Sequence, residues 1–282
     1  MNKTQIPELT FSNNLKIPVL GLGTWKLTGQ ECINAVKTAL ELGYNHIDTA
    51  FIYHNENEVK EGINSVEGFD RKNVFITSKL WPDKNHTYED VIRECDDSLK
   101  RLETDYLDLY LMHWPIRGAD YKEIFRAFKT LVDEGKARSI GVSNFTIHHL
   151  QDVLPIAKEL SLPIVVNEIE FHPGLYQKGL LEFCNENKIA VIAYSPLAHG
   201  EIGTEKILNE IAEKYSKTPF QVSMKWLLQH NMIVIPKAAA KKHIEDNMNL
   251  FDFELPEDEM KQIDSMGNDN RVINPPIADF DY

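Results

Sequence analysis

Short β-branched and apolar runs recur along the chain, each followed by a longer stretch in which apolar residues return every third or fourth position. Alternation of this kind predicts parallel strands joined by helical crossovers. Strands are expected at Val19–Thr24, His46–Asp48, Val74–Lys79, Leu107–His113, Ser139–Ser143, Ile164–Glu168, Val191–Tyr194 and Ile233–Pro236, the complement of a closed α/β barrel of the (β/α)8, or TIM, type. Tyr88–Leu102 and Tyr121–Glu134 carry the helical spacing and are expected in the outer ring. Before the first of these strands, Leu9–Lys16 reads as an antiparallel hairpin turned at Asn13-Asn14, residues that tolerate left-handed backbone. This N-terminal β-hairpin is expected to close one end of the barrel.

No change of composition, low-complexity tract or short repeat divides the 282 residues, so residues 1–282 are expected to form a single barrel domain. With 43% hydrophobic and 26% charged residues, the chain can fill a large core and keep a polar surface. Its net charge of -13 opposes binding to a nucleic acid backbone or an anionic membrane and favours a small diffusible substrate. An anionic cofactor would then need a local basic patch, and Lys237–His243 supplies one. Cys32, Cys95 and Cys184 are too few and too scattered for a disulfide scaffold and read as reduced thiols in a cytoplasmic protein. Met1–Thr10 is mostly polar, and no apolar run is long enough to span a bilayer, so neither export nor membrane insertion is expected.

The architectural rival is an open, doubly wound sheet, which would announce dinucleotide binding through Gly-x-Gly-x-x-Gly. Gly21-Leu22-Gly23 opens that pattern, but Lys26 stands at the third glycine. A strand needing two glycines for close approach explains the pair better.

Barrel enzymes carry their chemistry at the carboxyl ends of the strands. There the apolar runs end abruptly on Asp48, Lys79 and His113, with Tyr53 on the loop just after Asp48. Each has a plain structural explanation by itself: a turn cap, a snorkelling lysine, a core histidine, a packed ring. Together at one mouth they supply a proton donor and the groups to tune and orient it.

Six motifs then appear in order across the chain: Asp48-Thr49-Ala50 with Tyr53, Ser78-Lys79-Leu80-Trp81, Leu111-Met112-His113-Trp114-Pro115, Gly141-Val142-Ser143-Asn144-Phe145, Tyr194-Ser195-Pro196-Leu197 and Ile235-Pro236-Lys237. The series resembles that of the aldo-keto reductase superfamily, in a short-loop microbial form. The resemblance implies an NADPH-using reductase of aldehydes and ketones, and departures from it at Ala238 and His243 lead us to expect NADPH preferred but NADH accepted. It assigns Tyr53 as proton donor, with Lys79 lowering the phenol's pKa, Asp48 holding Lys79, and His113 orienting the carbonyl oxygen. It places the cofactor against Gly23, Thr24, Asp48, Ser143, Asn144, Glu168, Tyr194, Ser195, Leu197, Lys237, Ala238, His243, Asp246 and Asn247. Trp25, Trp81 and Trp114, with Tyr53 and His113, would wall the substrate pocket.

Two positions depart from that pattern. Glu168 stands where most members carry Gln, and an ionised carboxylate there would favour the cationic, oxidised nicotinamide. Ala238 and His243 stand where NADPH users commonly carry Ser and Arg, so the grip on a 2′-phosphate should weaken and strengthen again at lower pH. Lys241 and Lys242 are the candidates to compensate. The short Pro115–Tyr121 segment and the brief Asn274–Tyr282 tail suggest an open pocket for varied small carbonyls, in a monomer or weak homo-oligomer. Two other readings remain at this level. One is a cofactor-binding, redox-sensing auxiliary subunit; the other is a metal-dependent hydrolase or isomerase using Asp48, His113 and Glu168.

Overall fold

The computed structural model describes residues 6–282, so the first half of the polar Met1–Thr10 stretch lies outside the described residues. The chain enters as a hairpin in which β1 (Glu8–Thr10) pairs antiparallel with β2 (Lys16–Pro18), Leu9 opposite Ile17. Asn14 takes the left-handed turn position at φ 68°, and Asn13 Nδ2 donates to Ser139 Oγ at 2.7 Å, tying the tip to the barrel floor.

Eight parallel strands follow, each beside its sequence neighbour: β3 (Leu22–Gly23), β4 (His46–Asp48), β5 (Phe75–Leu80), β6 (Leu109–Met112), β7 (Ile140–Ser143), β8 (Ile164–Glu170), β9 (Ala190–Tyr194) and β10 (Ile233–Val234). Parallel bridges Leu20–Val234 and Gly23–Lys237, with Gly21 N donating to Val234 O at 2.9 Å, join the last strand to the first. A Cβ on Gly23 would stand 2.7 Å from Ile235 O, so closure at this seam requires glycine.

Between the strands run α1 (Gly29–Leu42), α2 (Glu56–Asn64), α3 (Tyr88–Leu102), α4 (Tyr121–Asp133), α5 (Ile147–Glu159), α6 (Lys178–Glu186), α7 (Lys206–Tyr215) and α8 (Pro219–Gln229); α9 (Lys241–Asp246) and α10 (Glu257–Asp264) follow β10. Thr87 with Asp90 and Thr218 with Gln221 close reciprocal capping boxes at α3 and α8, each cap contributing about 1 kcal/mol.

Two cores separate by strand alternation. Outward residues such as Ile76, Tyr110 and Met112 meet the helices, whereas inward Phe75, Leu109, Leu111, Val166, Ile192 and Ile233 fill the barrel floor together with Phe11 and Ile17 from the hairpin. The hairpin is therefore a plug.

The strands differ from expectation at their ends. β10 stops at Val234, two residues before Pro236, which has no N–H to extend a ladder. By contrast β8 continues to Glu170, whose buried carboxylate accepts hydrogen bonds from Val272 N at 2.7 Å and Ile273 N at 2.9 Å. The C-terminal tail thus lies over the strand ends, held further by Arg117 on Asp279 at 2.7 Å and by Phe280 against Trp114. Among the described residues, no helix is long and apolar enough to cross a membrane.

Candidate active site

Two-residue alternation lifts β5 from Phe75 on the floor through Thr77 to Lys79 at the rim, and the neighbouring strands bring Asp48 and Glu168 to the same level. Lys79 is completely buried. An isolated ammonium there would be strongly unfavourable, so its surroundings must compensate. Lys79 Nζ donates to Asp48 Oδ1 at 2.5 Å and to Thr49 O at 3.0 Å, and Glu168 Oε1 forms an ion pair with it at 3.3 Å. Burial works against the charged lysine, but Asp48, then Glu168 and Tyr53, outweigh it and raise its pKa.

Two carboxyl groups around one ammonium leave an excess of negative charge. Asp48 Oδ2 and Glu168 Oε2 are both buried without a hydrogen-bond partner. Burial raises the pKa of both groups; for Glu168 the rise is large, with Asp48 adding to it and Lys79 only partly opposing.

Tyr53 ends a single 3-10 turn, Phe51–Tyr53, directly after β4, and its ring centre lies 5.2 Å from Lys79 Nζ. The sequence suggests a phenol acidified by Lys79. The structure gives the opposite net direction: burial raises the Tyr53 pKa, Lys79 opposes, and Asp48 and Glu168 add to the rise. The lysine's influence is present but is shared with two carboxyl groups.

His113 follows β6 and stands edge-on to Tyr53 and Trp81, with ring centres 5.6 and 5.4 Å away. Burial, with help from Lys79, drives its imidazole pKa well below the ordinary value, so it is neutral and offers one N–H. Its Nδ1 is buried and unpartnered. The proposed metal-ligand set Asp48, His113 and Glu168 does not form: Lys79 stands against both carboxyls, and no three candidate ligands gather among the described residues.

These groups open into a cavity of about 740 Å³. Of the positions expected to bind cofactor or substrate, Gly23, Trp25, Asp48, Tyr53, Trp81, His113, Trp114, Asn144, Glu168, Tyr194, Ser195, Leu197 and Lys237 line it. Asn144, at φ 65°, donates from Nδ2 to His113 O and Ser143 Oγ and accepts from Tyr194 OH at 2.7 Å. Its amide donors are therefore committed to the rim.

The remaining expected positions sit behind or beside the cavity. Thr24 and Ser143 are buried and donate to the carbonyls of Asp48 and Glu168, fixing the strand ends that carry those side chains. Ala238 and Asn247 are buried, His243 is exposed on α9, and Asp246 pairs with Lys242 at 2.9 Å.

Sequence reasoning missed several lining residues. Ile273 and Pro275 arrive from the tail, and His199 and Gly200 from a loop after β9 whose residues Ala198, His199 and Gly200 all have positive φ. The His199 ring stacks on Trp25 at 5.7 Å, and Lys26 Nζ lies 4.1 Å from the centre of the Trp25 ring. In the sequence Lys26 interrupts a glycine motif, and a cation so close to Gly23 is the signal that could have found it.

A nicotinamide dinucleotide requires an aromatic wall, polar groups near its reacting end and cations for its phosphates. Tyr194, the unpartnered atoms of Glu168 and His113, and Lys26 with Lys237 meet those needs, so the lining fits such a cofactor.

A closed barrel whose rim presents a half-buried phenol and a neutral histidine to one such cavity, with a buried lysine behind the phenol, defines a nicotinamide-dependent oxidoreductase. The Aldo/keto reductase family profile matches residues 19–268. The glyoxal reductase of Bacillus subtilis is 44% identical over 262 residues, covering 92% of each chain. Methylglyoxal reductase DkgA of Escherichia coli is 39% identical over 263 residues, covering 92% of this chain and 93% of its own. An aldo-keto reductase from a Medee basin deep-sea metagenome library superposes with a TM-score of 0.91 at 38% identity, over 98% of this chain and 100% of its own. The chain belongs to the aldo/keto reductase family.

Proposed function

We propose that the protein reduces small aldehydes and ketones, α-oxoaldehydes among them, with NADPH preferred and NADH accepted. The observation that carries this reading is the convergence of Tyr53 and His113 on one largely apolar cavity that also presents Lys26 and Lys237, with Lys79 buried behind the Tyr53 ring. The bound cofactor supplies hydride to the carbonyl carbon. Tyr53 delivers the proton to the carbonyl oxygen, and neutral His113 orients that oxygen by donating its N–H. The raised pKa of Tyr53 keeps the phenol protonated in the resting enzyme, so the proton is in place before substrate arrives. Trp81, Trp114 and the tail residues Ile273 and Pro275 limit water around the reacting atoms.

The glyoxal and methylglyoxal reductases among the relatives support small α-oxoaldehydes as substrates. The preference for NADPH is modest in this reading. Lys237 is exposed at the cavity edge, but Ala238 and His243 offer no guanidinium, and Lys241 and Lys242 are drawn to Glu245 at 3.7 Å and Asp246 at 2.9 Å. The residues act as one barrel domain, as a monomer or weak homo-oligomer, and three buried free cysteines suit a reducing cytoplasm.

The test is to follow cofactor oxidation against glyoxal, methylglyoxal, simple aldehydes, ketones and sugars, with each nicotinamide. Turnover of small aldehydes with higher kcat/KM for NADPH, and measurable rates with NADH, is expected. Tight cofactor binding without turnover of any carbonyl would favour the auxiliary-subunit reading instead.

A further inference from the structure

Lys79 is the cation for two buried carboxyl groups, not one. Asp48 approaches it at 2.5 Å and Glu168 at 3.3 Å, and each keeps a second oxygen buried and unpartnered. If all three were ionised, the cluster would hold one uncompensated negative charge on buried oxygens. A proton held by the carboxyl pair removes that charge, and the strong upward push on Glu168 has the same direction.

Other groups facing Glu168 do not compensate for it. Tyr53 is a protonated phenol whose pKa is raised, and Tyr194 from β9 is likewise a raised phenol bonded to Asn144 Oδ1. Ser143 at the end of β7 and the following Asn144 engage the backbone carbonyl of Glu168, not its carboxyl, and His113 is neutral. Glu170, two residues along β8, is satisfied by Val272 N, Ile273 N and His172.

Glu168 lines the cavity in which hydride transfer must occur if the proposed function holds, and this inference rests on that reading. Loss of hydride makes the nicotinamide ring cationic, and a cation there stabilises a carboxylate. We infer that Glu168 makes the site sense the redox state of its cofactor: the Asp48–Glu168 pair keeps its proton beside the reduced nicotinamide and releases it when the oxidised form binds. The proton leaves the carboxyl oxygen for solvent, and the resulting carboxylate balances the ring charge. Glu168 is thereby a specificity-determining residue for cofactor form.

Linkage fixes the sign. Oxidised cofactor lowers the pair's proton affinity, so its own affinity rises with pH across the interval between the bound and free pKa values, by up to about tenfold per pH unit, and levels off above it. Reduced cofactor lacks the ring charge and should show little of this slope.

The experiment is calorimetric titration of the intact protein with NADP⁺ and with NADPH between about pH 6 and pH 9, in buffers of different ionisation enthalpy. Both forms carry the same 2′-phosphate, so the difference between them cancels proton changes at that group. In the wild type, NADP⁺ should release up to about one proton more than NADPH, and the NADP⁺-to-NADPH affinity ratio should climb with pH. Glu168→Gln, which preserves shape and removes the extra carboxyl, should abolish both the excess release and the slope. Binding of both forms with no proton difference, or an identical difference in Glu168→Gln, overturns the inference while leaving the proposed function standing. Failure of both cofactors to bind overturns that function and the inference with it.

Discussion

Lys79 shows how a single side chain is fixed from several directions, since it donates to Asp48 and Thr49 at the end of β4 and pairs with the Glu168 carboxyl on β8. Lys79→Met removes the cation that pairs with two buried carboxyls and should lower stability by about 3 kcal/mol or more, read by denaturant unfolding, with severe loss of carbonyl reduction. A variant of wild-type stability and rate would mean that the cluster is held together by something other than this ion pair. The positions of Asp48, Lys79, His113 and Tyr53 were legible because each interrupts or directly follows an apolar run. The direction of the Tyr53 pKa was not, because it depends on Glu168 reaching the same lysine from 89 positions further along the sequence, a contact no local pattern records.

His46, buried beneath the site, gives the molecule a pH signature. Burial, with Lys79 adding, pushes its imidazole down to about 3, against about 6.5 in the unfolded chain. The unfolded state therefore binds more protons within that interval. The stability His46 contributes is complete above about pH 6.5 and is lost as pH falls toward 3, at no more than about 1.4 kcal/mol per pH unit. His113 is shifted in the same direction. The thermal midpoint should fall on acidification from pH 7 to pH 4, and His46→Gln should flatten part of that fall; a midpoint rising over this range would contradict the assignment.

At the scale of elements, the seam between β3 and β10 is the place where the barrel is most sensitive to a single methyl group. Gly23→Ala would set Cβ 2.7 Å from Ile235 O, a backbone atom that cannot step aside without opening the Gly23–Lys237 bridge. It should reduce stability by about 1–3 kcal/mol and weaken cofactor binding, measured by denaturant unfolding and by fluorescence titration. Unchanged values for both would show that the seam has slack. Strand positions were readable from β-branched runs, and α3 falls on the residues expected from its periodicity, where Thr87 and Asp90 cap it. Strand ends were less readable. Val19–Thr24 contracts to Leu22–Gly23 with a bridge at Leu20, whereas β8 gains two residues because Ile169 and Glu170 pair with Ala193 and Tyr194 of β9.

Across the whole molecule, the tail is the element that sequence placed only in outline. Its brevity pointed to an open pocket, but the contacts that seat it join Arg117 to Asp279 and Glu170 to Val272 and Ile273, pairs separated by more than 100 residues. Seating the tail brings Ile273 and Pro275 into the cavity wall. Glu170→Ala should release that wall, raising KM for small carbonyls several-fold while kcat changes little, as expected for loss of binding shared by ground and transition states. A fall in kcat with constant KM would instead place Glu170 in the chemical step. Helical crossovers, the plugged floor and the tail all support one end of the barrel, where Tyr53 and His113 face the cavity.

The central claim is that Tyr53 delivers the proton during carbonyl reduction. Its most direct measurement is single-turnover oxidation of pre-bound NADPH by methylglyoxal in the wild type and in Tyr53→Phe, with NADPH affinity determined for both. The account predicts a rate lower by about 10²–10⁴-fold in Tyr53→Phe with affinity nearly unchanged. A single-turnover rate equal to that of the wild type, with the cofactor equally bound, would contradict it.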